Sequence, residues 1–208
     1  MKKWTYGLAA AAALAPAAGL AAGSTVALDA YYVIPEFELD IQGIGEATFD
    51  EGDGLGVKGR FELTPQVFVA GEYQSNTYDE VEGVPIDTEI NLIRGGAGFR
   101  LGPGSPFYAL GEVINAEIEI EGDKDDETGY GVHLGAAAPM TSGIDLYGQV
   151  GYVDVEADGF EFLIGIAMMV SPQIGLFADY RNTSLEDDDT EDELTLSDVR
   201  VGLRILLQ

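Results

Sequence analysis

The stretch GLGVKGRFELTPQVFVAGEY, Gly54–Tyr73, decides the fold. Its first half sets Leu55, Val57, Phe61 and Leu63 on one side of an extended chain and Lys58, Arg60 and Glu62 on the other. That is the period of two that a β-strand imposes, and no helical spacing reproduces it. The prolyl tripeptide TPQ then turns the chain. A second apolar run follows, with a carboxylate, Glu72, in its middle. The same figure of a small residue, an acid or amide, and an aromatic or β-branched residue recurs in LGEV (Leu110–Val113), YGQV (Tyr147–Val150) and FADY (Phe177–Tyr180). One explanation must therefore serve Glu72, Glu112, Gln149 and Asp179.

The alternation extends along the chain. VRVGLRILL (Val199–Leu207) sets its aliphatic residues against Arg200 and Arg204, and IRGGAGFRL (Ile93–Leu101) sets Ile93, Ala97, Phe99 and Leu101 against Arg94 and Arg100. Runs of this kind predict ten strands, at 26–34, 53–63, 67–78, 88–101, 107–120, 128–138, 144–156, 160–170, 174–184 and 193–207. Four connections (TPQ, GPGSP, PMTSG and SPQ) are short and contain proline. The other five, among them EGDKDDETG and EDDDTEDE, are acidic and mostly longer. Short turns at one end and acidic loops at the other describe an antiparallel meander with both termini on the short-turn side.

Before Asp29 the chain has no acid. It begins with Lys2 and Lys3, followed by an Ala/Leu-rich run and small residues. This is the layout of a signal peptide over 1–22, with cleavage after 21–23, leaving 23–208 as a single domain. There is no cysteine, so packing and hydrogen bonds alone must hold an exported fold. A net charge of −27 excludes nucleic acid as a partner, because phosphates are repelled.

An exported meander with an apolar face is expected to close into an all-β, up-and-down antiparallel transmembrane β-barrel of about ten strands, with eight as the alternative. Closure removes the sheet edges that lipid does not tolerate. A soluble barrel would show the same alternation with its apolar face turned inward. Against that stand aromatics near the strand ends of the apolar face (Phe61, Phe99 and Phe107 by the short turns; Tyr73, Tyr130, Tyr152, Phe162 and Tyr180 by the loops) and glycines crowding the polar one.

The charges point the same way. Of the 37 acids, all but Asp29, Glu62, Glu72, Glu112, Asp145 and Asp179 fall in or beside the acidic connections. Past the signal only Lys124 among the basic residues lies in a loop, while Lys58, Arg60, Arg94, Arg100, Arg181, Arg200 and Arg204 sit at polar-face strand positions. In a closed meander the last strand meets the first. Arg200 and Arg204 then face Asp29, Lys58 and Arg60 face Glu72 or Asp29, and Arg94 and Arg100 face Glu72 or Glu112. Buried charges need such partners. The expected lumen ion-pair network is Asp29, Lys58, Arg60, Glu62, Glu72, Arg94, Arg100, Glu112, Asp179, Arg181, Arg200 and Arg204. In FYALGEVINAEIEIEG (Phe107–Gly122) Glu112 is out of phase with Glu117 and Glu119, which predicts a bulge near Ile114–Asn115.

With signal, turns and alternation in place, the chain resembles the small outer-membrane β-barrels of Gram-negative bacteria, of OmpA-type and porin-like families. Gly54–Tyr73 looks closest to the small barrels of xanthomonad-type bacteria. The chain departs from them in ending ILLQ, where such families commonly end in an aromatic that the barrel-assembly machinery reads. Outer-membrane proteases of the omptin kind pair histidine with acids near the rim. His133, the one histidine, lies on the lumen face with no acidic partner evident in the sequence, so no catalytic role is expected. No cofactor is expected, and the acidic loops lack the ligand spacing of a defined calcium site. The resemblance implies a bacterial outer-membrane location with periplasmic termini and extracellular acidic loops. The expected partners are lipid, lipopolysaccharide through divalent cations, and the assembly machinery. A structural or surface-interaction role is expected, with a narrow channel for small cations or solutes as the alternative.

Overall fold

A computed structural model describes residues 25–41, 45–49, 52–81, 84–102, 104–120, 123–141, 143–187 and 192–207. The expected signal peptide lies outside them. Alternation along each segment yields β1 (Val26–Ile41), β2 (Gly45–Phe49), β3 (Gly52–Glu62), β4 (Val67–Val81), β5 (Val84–Arg100) and β6 (Phe107–Ile120). It continues through β7 (Asp123–Thr141), β8 (Ile144–Val155), β9 (Ala157–Met169), β10 (Ile174–Glu186) and β11 (Glu193–Leu207). Every pairing is antiparallel: from β3 to β11 each strand pairs with the next, β1 pairs with β3 past the short β2, and β11 pairs with β1 from Val26↔Leu207 to Asp40↔Glu193. The ring is therefore a closed ten-stranded meander. The short β2, inside the first acidic connection, adds a hairpin to the loop end of β1 alone.

The short turns owe their shape to hydroxyls and glycines. Thr64 Oγ1 accepts hydrogen bonds from the amides of Gln66 and Val67, and Ser171 Oγ accepts the equivalent pair from Gln173 and Ile174. TPQ and SPQ are thus the same turn, in which a side-chain oxygen takes up amides that the strands cannot satisfy. GPGSP and PMTSG instead use Gly104 (φ 71°) and Gly143 (φ 91°) in the left-handed region.

The aliphatic face points outward. Leu28, Leu55, Ile93, Leu134, Ile164, Leu176 and Leu203 are all exposed, as are alternate residues around them. On β11 this face runs from Val199 to Leu207 and gives way at Ser197; on β6 it runs from Phe107 to Val113 and gives way at Asn115. About nine residues per tilted strand make a band roughly 20–25 Å tall, the height of a hydrocarbon layer. Tyr73, Tyr130, Tyr152 and Tyr180 stand at its loop-side margin. Just above them polar side chains bond strand to strand on the outer surface, Tyr73 to Asn91, Asn91 to Glu117 and Asn182 to Ser197, and Asn91 also bonds Glu89 along its own strand.

Several strands run further than expected at the loop end. The acidic segments are partly strand extensions rather than coil, as in β1 and β7. This also overturns the bulge near Ile114–Asn115. The register of β6 against both neighbours is unbroken, with Ile114 opposite Arg94 and Gly129, and Glu112 opposite Gly96 and Gly131. The strand does not shift; its surroundings do. Above the apolar band the outside is water, so Glu117 and Glu119 point out while Ile114 and Ile118 pack in the lumen.

Candidate functional site

The lumen is built in three tiers. At the loop end Phe37, Tyr78 and Ile90 form a buried cluster with Phe49 and Ile118 packed on it; the rings of Phe37 and Phe49 are 4.7 Å apart. Immediately beneath, Ile114, Val153 and Leu185 make a second apolar layer. Together they cap the barrel.

Below the cap lies a belt of charge. Register sets Arg204, Asp29, Lys58, Glu72 and Arg94 side by side on β11, β1, β3, β4 and β5, a rung of alternating sign that crosses the closing seam. Arg204 grips Asp29 with two nitrogens at 2.8 and 2.7 Å. Glu72 accepts from Arg200 (2.7 Å), Arg181 (3.1 Å) and the Tyr31 hydroxyl (2.6 Å). Asp179 accepts from Arg200, from Lys58 at 2.9 Å across the lumen, and from Tyr147 at 2.8 Å. Arg181 also binds Asp198 at 2.7 Å, and Gln74 donates to the same carboxylate at 3.0 Å.

Arg94 closes the other side of the belt, donating to Glu112 (3.1 Å) and, through two nitrogens, to Glu161 (2.9 and 2.5 Å). His133 stands between the same two carboxylates, with Nε2 3.0 Å from Glu112 and Nδ1 3.9 Å from Glu161. The ligand atoms of Glu112, His133 and Glu161 lie within 4.8 Å of one another, a spacing suited to a metal ion. The Arg94 guanidinium already occupies the place between the carboxylates that a cation would take. The cluster is a filled ion-pair site.

Glycines make room for these side chains. A Cβ on Gly151 would stand 2.1 Å from the His133 ring, and one on Gly98 would stand 2.0 Å from the Phe68 ring. Lumen rings pack directly against bare backbone. This is why the polar face is rich in glycine.

The third tier is open. Beneath the belt, at the short-turn end, a cavity of about 260 Å³ is lined by Arg60, Phe68, Tyr108, Asp145, Tyr147 and Arg204 among others, with the charged belt as its roof. Outside the apolar band, Lys124 hydrogen-bonds Glu117 at 2.8 Å; that bond holds the Glu117 carboxyl below its ordinary range and raises the Lys124 ammonium.

A closed ring with a greasy exterior and a charged, plugged interior is the architecture of one setting. The sequence profile of the outer membrane protein β-barrel domain matches residues 6–162. The chain belongs to that family. No curated protein matches the chain. Among solved structures, the outer membrane protease OmpT from Escherichia coli shares the fold, with TM-score 0.57 at 10% identity over 88% of this chain and 96% of that one. Neisserial surface protein A aligns with TM-score 0.47 at 16% identity, covering 90% and 99%. Ail, the attachment invasion locus protein of Yersinia pestis, aligns with TM-score 0.43 at 14% identity, covering 88% and 99%. Membership places the chain in the bacterial outer membrane.

Within this outer-membrane barrel, the residues expected to line the lumen fall into distinct environments. Arg204 meets Asp29, whereas Arg200 turns from Asp29 to Glu72 and Asp179. Lys58 reaches Asp179, with Asp29 at 4.0 Å. Arg100 pairs with Glu62 near the short turns rather than with Glu72 or Glu112. Arg60 meets no carboxylate among the described residues, and its guanidinium lies on the Phe68 ring at 3.5 Å from the centroid. Long side chains span the lumen, so strands that are not neighbours supply partners. Neighbour-only reasoning therefore missed them.

Two carboxylates assigned to the acidic connections sit in the belt instead. Glu161 is 1% exposed and Asp198 5% exposed. Parity carried the signal: Glu161 is in phase with Leu163 and Gly165 between outward Phe160 and Phe162, and Asp198 is in phase with Arg200 and Gly202. His133 was placed on the lumen face without an acidic partner; folding supplies Glu112 and Glu161.

Proposed function

We propose that the protein is a closed, non-conducting outer-membrane barrel with a structural or surface-interaction role. The reading rests on one observation: the lumen is obstructed twice, by the apolar cap and then by a continuous ion-pair belt. Small barrels are filled by side chains, whereas open porins need about sixteen strands. The termini and short turns face the periplasm in this reading. The acidic loop ends face the medium, where divalent cations bridge them to lipopolysaccharide phosphates, and the assembly machinery inserts the chain. Its negative charge disfavours nucleic acid. The role is non-enzymatic. The one histidine is 1% exposed and tied to carboxylates beneath the apolar cap.

Planar-bilayer recording tests this. Purified protein is expected to insert without conductance steps. A variant that takes a large side chain out of both barriers, Tyr78→Ala with Arg200→Ala, is expected to conduct, and either substitution alone is expected to stay silent. Stable cation-selective steps from the unaltered protein would overturn the proposal in favour of a narrow channel.

A further inference from the structure

The open tier contains two charges that have no ion-pair partner within 4.0 Å among the described residues. Lys58, Arg94, Arg100, Arg181, Arg200 and Arg204 each have a carboxylate within 4.0 Å. Arg60 has none among the described residues, and its Nε and one Nη find no hydrogen-bond acceptor. Its guanidinium lies on the Phe68 ring, 3.5 Å from the centroid, with the Tyr108 ring edge-on to Phe68 and its centroid 5.5 Å away. Stacking fixes the fork in position without satisfying it. Asp145, on β8, lines the same cavity and meets no cation or donor among the described residues.

β3 and β8 are half a ring apart in the closed strand order, so the two groups stand on opposite walls. Between them the cavity surface includes Phe68, Leu110 and Leu163. We infer that this short-turn-end cavity binds a small zwitterionic compound whose anionic and cationic ends are separated by an apolar chain, the anion on Arg60 and the cation near Asp145. A plain anion would leave a free carboxylate in the same cavity, and a plain cation would leave a free guanidinium. An α-amino acid carries both charged groups on one carbon and reaches only one wall. At about 260 Å³ the cavity lies just below the ~300–1,000 Å³ of drug-sized pockets, which favours a small metabolite over a cofactor.

The inference rests on the cap and belt closing the far end, but its test is independent of conductance. Detergent-solubilised full chain is titrated calorimetrically with three probes of matched length: 6-aminohexanoate, hexanoate and hexylamine. The first is expected to bind saturably, and the others about tenfold or more weaker, the worth of one charge-assisted hydrogen bond. Asp145→Asn is expected to weaken 6-aminohexanoate about tenfold while leaving hexanoate unchanged. Arg60→Gln is expected to weaken both carboxylates and spare hexylamine. Failure of the unaltered protein to bind 6-aminohexanoate would overturn the proposal. Equal binding of 6-aminohexanoate and hexanoate, or an Asp145→Asn variant that still prefers the zwitterion, would do the same. Asp145 sits one residue inside a short turn, and the variant's folded state is checked by its migration on a gel before and after boiling. A barrel that conducts yet discriminates the probes as described would refute closure and leave this site standing.

Discussion

Arg94→Met isolates the energetics of the belt. The guanidinium is 7% exposed and makes three hydrogen bonds to Glu112 and Glu161. Its loss leaves Glu161, which is 1% exposed, with the Thr183 hydroxyl at 3.0 Å and the His133 ring at 3.9 Å. Stranding a buried carboxylate in this way costs about 3–5 kcal/mol. That is a large part of the ~5–15 kcal/mol that holds a domain folded. Adding Glu161→Met removes the stranded charge as well, and the double variant is expected to recover about 2–3 kcal/mol of the loss. Urea unfolding from lipid vesicles measures both. Far-UV circular dichroism is the suitable signal, because the single tryptophan, Trp4, lies in the expected signal peptide. A single variant that loses less than about 1 kcal/mol would refute the buried ion-pair account. A double variant that loses the sum of the two single losses would refute the coupling.

Three further outcomes follow from the same geometry. Gly98→Val forces a Cβ into the Phe68 ring and is expected to abolish the heat-modifiable folded band on a gel, whereas Gly95→Ala, with nothing within 4 Å, is expected to leave it intact. Leu134→Arg, in the middle of the outer apolar face of β7, is expected to destabilise the vesicle-inserted barrel by about 2–4 kcal/mol, and Thr77→Arg, above that face, by about 0–1 kcal/mol. The Glu117 carboxyl carbon, followed by NMR, is expected to titrate below the ordinary carboxylate range. Its stabilising bond to Lys124 is then present at neutral pH and lost as pH falls through the depressed pKa; Lys124→Gln should return the titration to normal.

Much of the fold was legible because a strand has a strict period. Leu55–Leu63 and Val199–Leu207 declare their faces without any tertiary information, and the TPQ and SPQ turns announce themselves by composition. What the pattern concealed is that the meaning of a face changes with height. Along β6 the odd positions read Phe107, Ala109, Val113 and then Asn115, Glu117, Glu119, while the even positions pass from Tyr108 and Glu112 to Ile114 and Ile118. A bulge explains that inversion only if the outside is apolar throughout. Once the outer solvent changes from lipid to water, a straight strand requires it. The same oversight assigned Glu161 and Asp198 to the loops. Partners across the lumen, such as Lys58 and Asp179, are set by side-chain reach over a distance that strand order does not encode.

The belt's energetic role is better read through register than through stability. Ion pairs taken out of water roughly break even against apolar packing, so seven inward-facing basic residues, three of them buried, are a weak means of holding a barrel together. They are a strong means of choosing how it closes. A slip of one residue at the β11–β1 seam would turn Arg200 and Arg204 toward lipid. A slip of two would keep them inside but bring Arg204 opposite Ala27 or Tyr31 in place of Asp29, breaking the rung that continues through Lys58 and Glu72 to Arg94. Aliphatic alternation on the outside tolerates the second error, since Leu203, Ile205 and Leu207 are interchangeable in hydrocarbon. The inward charges, together with the fit of Tyr31 opposite Gly202, distinguish the native seam from its neighbours, and the apolar cap sharpens that distinction by keeping water from screening the charges.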